Sequence, residues 1–177
     1  MLALGLSLHG FPMSIVVRTI DNHRIERHLQ ELRTRGGNTI THRKSGLNNI
    51  REMIRSFRGG GAVDFLVDQA VSRRQGLLVP FFGKQAWSSP APARIAVQTG
   101  ATIVPAFIER DDDNPRHYII RAYGTIRPEP TGDLDADVER LTIQIQAALE
   151  QRIRDRPQDW FWVHRRWKRS PDAPEDY

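Results

Sequence analysis

The sequence predicts an α/β protein with a mixed, mostly parallel open sheet flanked by helices. Two observations carry that reading. Short apolar, strand-like runs alternate with amphipathic helical runs along the chain. Late in the chain, ATIVPAFIER and HYIIRAYG are separated by the turn-forming cluster DDDNPR, which adds a hairpin to the otherwise parallel pattern. At 177 residues and 39% hydrophobic content the chain is long enough for one domain with its own core, and no repeat, linker or low-complexity segment divides it.

The elements follow in order. Leu2 to Leu8 reads as the tail of an apolar helix stopped by Gly10 and Pro12. MSIVVR is a short β-branched run suited to a central strand ending at Arg18. DNHRIERHLQELRTRGG is an amphipathic helix with Ile25, His28, Leu29 and Leu32 on one stripe and Gly36-Gly37 as its stop. NTITHR is a weaker strand, and GLNNIREMIRSFRGGG a second amphipathic helix with Leu47, Ile50, Met53, Ile54 and Phe57 on one face. AVDFLVDQ reads as a strand delivering Asp68 and Gln69 at its C-terminal end. After GLLVPFFG, Ser88 or Ser89 caps a helix that carries Pro90 or Pro92 in its first turn and runs to Gly100. The long helix DLDADVERLTIQIQAALEQRIRDRP has acidic residues at its start and Arg near its end, as the helix dipole favours.

Charge narrows the partners. Lys and Arg number 26 against 21 Asp and Glu, and nearly all the cations are Arg, which grips phosphates and carboxylates bidentately, so an anionic partner is expected. There is no cysteine, which removes disulfides, thiolate nucleophiles and Cys-based metal sites. The apolar N-terminal run is broken by Gly10 and Pro12 well short of a bilayer span and lacks the basic start of a signal peptide. No nucleophile elbow, P-loop, dinucleotide-binding turn or H-E-x-x-H pair occurs. DLDAD has the carboxylate spacing that opens a calcium loop, but Val138 stands where Gly is required and Gln144 where the closing Glu belongs, so its charges are assigned to the helix start. No metal is expected.

Position alone leaves the remaining candidates open. Asp68 is either a turn residue accepting backbone N–H bonds or a carboxylate at the mouth of a ligand crevice. Arg18 is either half of a structural ion pair or an anion clamp. PQDWFWVHRRWK, from Pro157 to Lys168, sets three of the four Trp beside a dense basic cluster. If helical it places Trp160, Val163 and Trp167 on one face; if extended, Trp160, Trp162 and His164. Its composition suits a membrane surface, a stacked anion site or a packed C-terminal hook.

Read in order, VVR (16–18), DNHRIERHLQELRTRGG, VDQ (67–69), VPFFG (79–83), ARIAVQTGATIVPAFIER and PQDWFWVHRRWK closely resemble the bacterial lipid A biosynthesis (lauroyl/myristoyl) acyltransferases over essentially the whole chain. The resemblance implies a glycerolipid-acyltransferase-like fold, a single acyltransferase domain over 1–177 incomplete at its N-terminus. The implied reaction moves a fatty acyl group from acyl carrier protein or acyl-CoA to a hydroxyl of a phosphorylated glycolipid, a lipid A precursor, with no cofactor. It also implies a place at the cytoplasmic face of the bacterial inner membrane, peripheral in this form, with an anionic membrane surface as partner. Nucleic acid is not expected as a partner, because the basic residues are interleaved with a membrane-type aromatic set and no recognition motif occurs.

The family's engine is an H-x-x-x-x-[DE] motif whose His is the general base. Five residues after His9, His23, His28, His42, His117 and His164 stand Ser14, His28, Arg33, Leu47, Ala122 and Arg169, so none qualifies. The motif and the family's anchor are expected upstream of Met1, and this chain is expected to be weakly active or inactive. Matched to the family, Arg18 and Arg33 bind phosphate or carrier, Asp68 supports an arginine, and Gln69 joins it in the family's P-D-Q with Val67 in place of Pro. His164, Arg165 and Arg166 match the terminal basic motif, with Trp167 replacing Phe, and are expected to bind substrate. The alternative is a non-catalytic basic module that binds anionic lipid or an acidic protein.

Overall fold

A computed structural model describes residues 2–17, 19–42, 57, 60–168, 170, 171 and 173. The chain is α/β and divides into two compact units, one from Met1–Phe65 and Phe107–Arg121, the other from Leu66–Ala106 and Ala122–Tyr177.

In the first unit, the β-branched run forms β1 (Met13–Val17), and it is central as its composition predicts: β2 (Thr39–His42) and β3 (Ala62–Asp64) flank it, both parallel to it. Helix α1 (Leu2–Leu8) contributes Ala3 to a small core with Ile15 and Val17, against which Met13 and Ile40 pack. Asn38 fastens these pieces. Its buried amide donates to the carbonyls of Ala3 and Arg33 and to Ser7 Oγ, and its Oδ1 accepts the Met13 N–H at 3.0 Å. Helix α2 (His23–Thr34) is capped by Asn22, whose side chain accepts from the N–H groups of Arg24 and Ile25. A short 3-10 turn, Arg35–Gly37, follows it, with Gly36 at φ 79°.

The inward face of α2 differs from the apolar stripe expected of it. Ile25 is half exposed and His28 exposed, whereas Glu26 is buried. The cause is polar: Glu26 accepts the Ile20 N–H at 2.8 Å and the Gln30 side-chain amide at 3.0 Å, which turns the carboxylate inward. The hairpin of β6 (Ala106–Arg110) and β7 (Tyr118–Ala122) forms as predicted, closed by the Asp111 N–H on the His117 carbonyl. The predicted helix over 46–61 falls almost wholly outside the described residues.

The second unit is built on a hairpin that the sequence reading missed. Strands β4 (Leu77–Phe81) and β5 (Lys84–Ser88) pair antiparallel around a two-residue turn, Phe82-Gly83, with φ of 52° and 73°. Such turns ordinarily announce themselves as Asn-Gly or Asp-Gly, and Phe in the left-handed region gives no such signal. Ser88 therefore ends a strand instead of capping a helix. Helix α3 (Ala91–Thr99) has Pro90 at its N-cap position and ends at Gly100, whose left-handed φ of 73° lets its N–H reach the Ala96 carbonyl. Helix α4 (Leu134–Asp155) is capped by Asp133 through the N–H groups of Asp135 and Ala136. The rest of DLDAD is committed similarly: Asp135 pairs with Arg94 at 2.9 Å, and buried Asp137 takes the Thr131 N–H and hydroxyl and Arg140. Ala93 and Ala96 of α3 and Val138, Leu141 and Ile145 of α4 make the core, with Val67, Leu77 and Ile103 packed on it.

The described strands thus lie in three small sheets, one parallel and two antiparallel. A single open sheet joining them is not seen among the described residues.

Candidate functional site

Helix α4 brings a polar line into the second unit's interior. Thr142, Gln146 and Glu150 follow one another at the i, i+4 spacing that keeps side chains on one face, between apolar Val138, Ile145 and Leu149. Thr142 satisfies its hydroxyl on the Val138 carbonyl at 2.7 Å. Gln146 and Glu150 reach out to other segments.

Gln146 holds two of the sequence-predicted motifs at once. Its Nε2 donates to the Val67 carbonyl at 3.1 Å, and its Oε1 accepts from Arg166 Nη2 at 3.0 Å. Arg166 has no exposed surface. Its guanidinium also donates to the Trp87 carbonyl at 2.9 Å and to Ser88 Oγ, and lies over the Phe81 ring with Cζ 4.7 Å from the centroid. Burial pushes its pKa down to about 10, with the Asp68 charge opposing, so it remains a cation at neutral pH. The sequence groups Arg166 with Arg165 as substrate-binding cations; a guanidinium with no solvent-facing area, spent on Gln146, Trp87, Ser88 and Phe81, supports the fold around the site instead. Arg165 next to it is exposed.

His164 closes the contact from the other side. Its Nε2 accepts the Ala70 N–H at 2.8 Å, which places the ring proton on Nδ1 and ties the residue after VDQ to the C-terminal segment. Burial lowers the His164 pKa, Arg166 and Lys168 lower it further, and Asp68 opposes them. An imidazole whose basic nitrogen already holds a backbone N–H is not poised to take a proton from a hydroxyl.

Asp68 is not at a strand end as expected. Strand β3 stops at Asp64, and Asp68 lies in the irregular stretch beyond it. AVDFLVDQ reads as one strand because its apolar residues are nearly continuous, but the chain leaves the ladder after three residues. The strand-end carboxylate is Asp64, whose pKa burial raises. Asp68 Oδ1 is buried and has no hydrogen-bond partner among the described residues, while its charge acts on both His164 and Arg166. Gln69 is exposed.

The C-terminal segment is neither helix nor strand. A 3-10 turn, Pro157–Asp159, leads into consecutive turns through Lys168. Trp160 and Trp167 pack on Phe81 with ring centroids 5.9 Å away in each case, and the Trp167 indole donates to the Phe81 carbonyl. The tip of the hairpin is held by Glu150, which accepts the Phe82 N–H at 2.6 Å and pairs with Arg154, itself stacked over the Phe82 ring. Burial alone would raise the Glu150 pKa, but the Phe82 N–H and Arg154 bring it below the ordinary carboxylate value.

Of the predicted site residues, the second unit therefore brings together Asp68, Gln69, His164, Arg165 and Arg166. Arg33 lies in the first unit, in the last turn of α2, 3.9 Å from Glu26 and with Nη1 buried. Arg18 lies outside the described residues. Gln146 and Glu150 were missed, and the signal for them is in the sequence: polar residues recurring every four positions on the apolar face of a long helix need buried partners.

The family model for bacterial lipid A biosynthesis acyltransferases matches residues 1–169. A lipid A biosynthesis lauroyltransferase of Escherichia coli (strain K12) is 27% identical over 126 residues, which cover 71% of this chain and 40% of that protein. A lipid A biosynthesis palmitoleoyltransferase of the same organism is 25% identical over 173 residues, 96% of this chain and 53% of that one, and a lipid A biosynthesis acyltransferase of Shigella flexneri matches to the same extent. The chain spans about half, or less, of the length of these curated relatives.

Proposed function

Because the chain belongs to the bacterial lipid A biosynthesis acyltransferase family, we propose that it serves transfer of a fatty acyl group to a hydroxyl of a lipid A precursor or related phosphorylated glycolipid. The donor is acyl carrier protein or acyl-CoA, and the site of action is the cytoplasmic face of the inner membrane, where this chain acts as a peripheral protein within a single glycerolipid-acyltransferase-like domain. The observation that carries the reading is the convergence of the VDQ turn and the His164-Arg165-Arg166 motif on Gln146, since the family match runs through both. Parallel pairing around β1 is in keeping with the fold.

In mechanism, direct attack of the acceptor hydroxyl on a thioester needs a base at the hydroxyl, a cationic cradle for the acceptor's phosphates and no covalent enzyme intermediate. Arg165 and Gln69 are the exposed groups at the junction and are assigned to the acceptor or the carrier; Arg18 and Arg33 are assigned to phosphate or carrier binding. Asp68 sets the charge balance of His164 and Arg166, and those two hold the VDQ turn in place. The base is assigned to none of the six histidines, because none has an acidic residue five positions on. Loss of general-base help costs on the order of 10²- to 10⁴-fold in rate, so the chain by itself is expected to bind far better than it reacts. That same absence favours the second reading, a non-catalytic basic module for anionic lipid or an acidic protein.

Two measurements on the purified chain test this: binding of a phosphorylated lipid A precursor, and product formation with each acyl donor followed by mass spectrometry. Acceptor binding with at most trace transfer is expected. Robust transfer would overturn the assignment of the base, and absence of acceptor binding would overturn the glycolipid reading.

A further inference from the structure

The segment that locks the site also leaves three large apolar side chains more than half exposed. Phe161 is 62% exposed, Trp162 54% and Val163 81%. An isolated exposed apolar side chain is ordinary, but three in succession, two of them aromatic, form a patch. This one is built into the fold. On its N-terminal side Trp160 packs on Phe81, Trp162 meets Trp160 edge-on at 4.6 Å, and the Trp162 indole donates to the Pro157 carbonyl at 2.6 Å. Across it the His164 N–H bonds the Phe161 carbonyl at 3.1 Å, and just beyond it Arg166 is fixed by Gln146, Trp87 and Ser88. Both ends are tied to the unit, by Trp160 on Phe81 and by Arg166 on Gln146, Trp87 and Ser88.

The chemistry beside the tip is cationic: Arg165 and Lys168 are both exposed. Aromatic and branched aliphatic side chains exposed on a turn tied at both ends, with cations beside them, match the boundary of an anionic bilayer. There rings sit at headgroup depth, alkyl groups reach the acyl region and cations meet the lipid phosphates. A carrier protein's acidic surface would complement Arg165 and Lys168 but leave the apolar tip unexplained.

We propose that Phe161, Trp162 and Val163 insert as a wedge into an anionic bilayer surface, with Arg165 and Lys168 on the headgroups, and so seat the His164–Asp68 side of the second unit against the membrane. This deepens the membrane part of the proposed function by naming the residues that touch lipid. It needs no acyl transfer to be true, and its test contains neither donor nor acceptor, so its failure is separate from that of the catalytic reading.

The experiment uses the 177-residue chain with vesicles of phosphatidylcholine alone and of phosphatidylcholine with phosphatidylglycerol, read by co-sedimentation and by quenching of Trp fluorescence with lipids brominated on the acyl chain. Binding to the anionic vesicles with quenching is expected. The double variant F161S/V163S removes two inserted side chains and is expected to bind at least roughly tenfold more weakly, with an unchanged denaturation midpoint because both residues are exposed. R165A is expected to weaken binding about fivefold at low salt and less at high salt. Equal binding by F161S/V163S and the parent chain would overturn the proposal. So would absence of vesicle binding by the parent, or loss in the double variant of affinity for acyl carrier protein alone.

Discussion

Arg166 donates from Nη2 to Oε1 of Gln146 at 3.0 Å, joining a guanidinium with no exposed surface to the middle of the long helix α4. Through that bond the terminal basic motif and, by way of Gln146 Nε2, the VDQ segment are held to one helix. A buried cation is costly unless its donors are met; here the Trp87 carbonyl, Ser88 Oγ and Gln146 Oε1 accept from Nη1 and Nη2 and the Phe81 ring face lies against the guanidinium, while Nε is buried with no partner among the described residues.

Removing the cation should therefore cost far more than removing its exposed neighbour. Arg166→Met leaves the Gln146 and Trp87 acceptors without their donor and is expected to lose about 3–5 kcal/mol, whereas Arg165→Ala should fall within about 0.5 kcal/mol of the parent. Arg166→Lys keeps the charge but not the fork, and should fall between them. Urea denaturation followed by Trp fluorescence checks this; near-equal losses for Arg165→Ala and Arg166→Met would refute it.

The coupling can be isolated. Gln146→Leu is expected to cost about 2–3 kcal/mol by leaving Arg166 Nη2 and the Val67 carbonyl short of a partner. With Arg166→Met in the same chain, the two losses should be less than additive by about 1–3 kcal/mol. Additive losses in the double-mutant cycle would mean that the bond carries no shared energy.

Much of this organisation is legible in the sequence, and the parts that are not have physical reasons. β1 is recognisable as central because Ile15, Val16 and Val17 form a β-branched run, and the α4 start because Asp133 precedes an acidic first turn. The hairpin at Phe82-Gly83 is invisible, since its left-handed Phe is stabilised by contacts made elsewhere: the Glu150 bond to its N–H and the Arg154 stack on its ring. Glu26 defeats the apolar stripe of α2 because its partner, the Ile20 N–H, lies outside the helix. The site is half legible. Motif order brings Asp68, His164 and Arg165 forward, but only three dimensions separate Arg166 as support from Arg165 as an exposed cation.

Two glycines with nearly the same backbone should respond differently to a methyl group. Gly36 (φ 79°) would place a Cβ 2.6 Å from Ser7 Oγ and 3.0 Å from the Ser7 backbone carbon, whereas Gly83 (φ 73°) has nothing within 4 Å. Both Ala variants bear the left-handed penalty of about 1–2 kcal/mol, and only Gly36→Ala adds a clash with α1. Gly36→Ala is expected to be the more destabilising by at least about 1 kcal/mol in chemical denaturation; equal losses would show that α1 gives way freely.

The imidazole of His164 gives the fold a pH dependence with a definite sign. Burial lowers its pKa in the folded chain from the ordinary 6.5, so between the two values the unfolded chain holds a proton that the folded chain does not. Stability then rises with pH in that window, because protonation favours the unfolded state. The contribution is fully present above 6.5 and is lost as pH falls through that value towards the lowered one. Physically, a proton on Nε2 would displace the Ala70 N–H, so charging the ring releases the VDQ turn. One group can contribute no more than about 1.4 kcal/mol per pH unit. His164→Gln can still accept an N–H but cannot titrate, so its stability should decline less steeply below pH 6.5 than that of the parent. Denaturation midpoints measured across that range, with the His164 ring signals followed by NMR, decide the matter: parallel stability profiles for parent and variant would remove His164 as the titrating group.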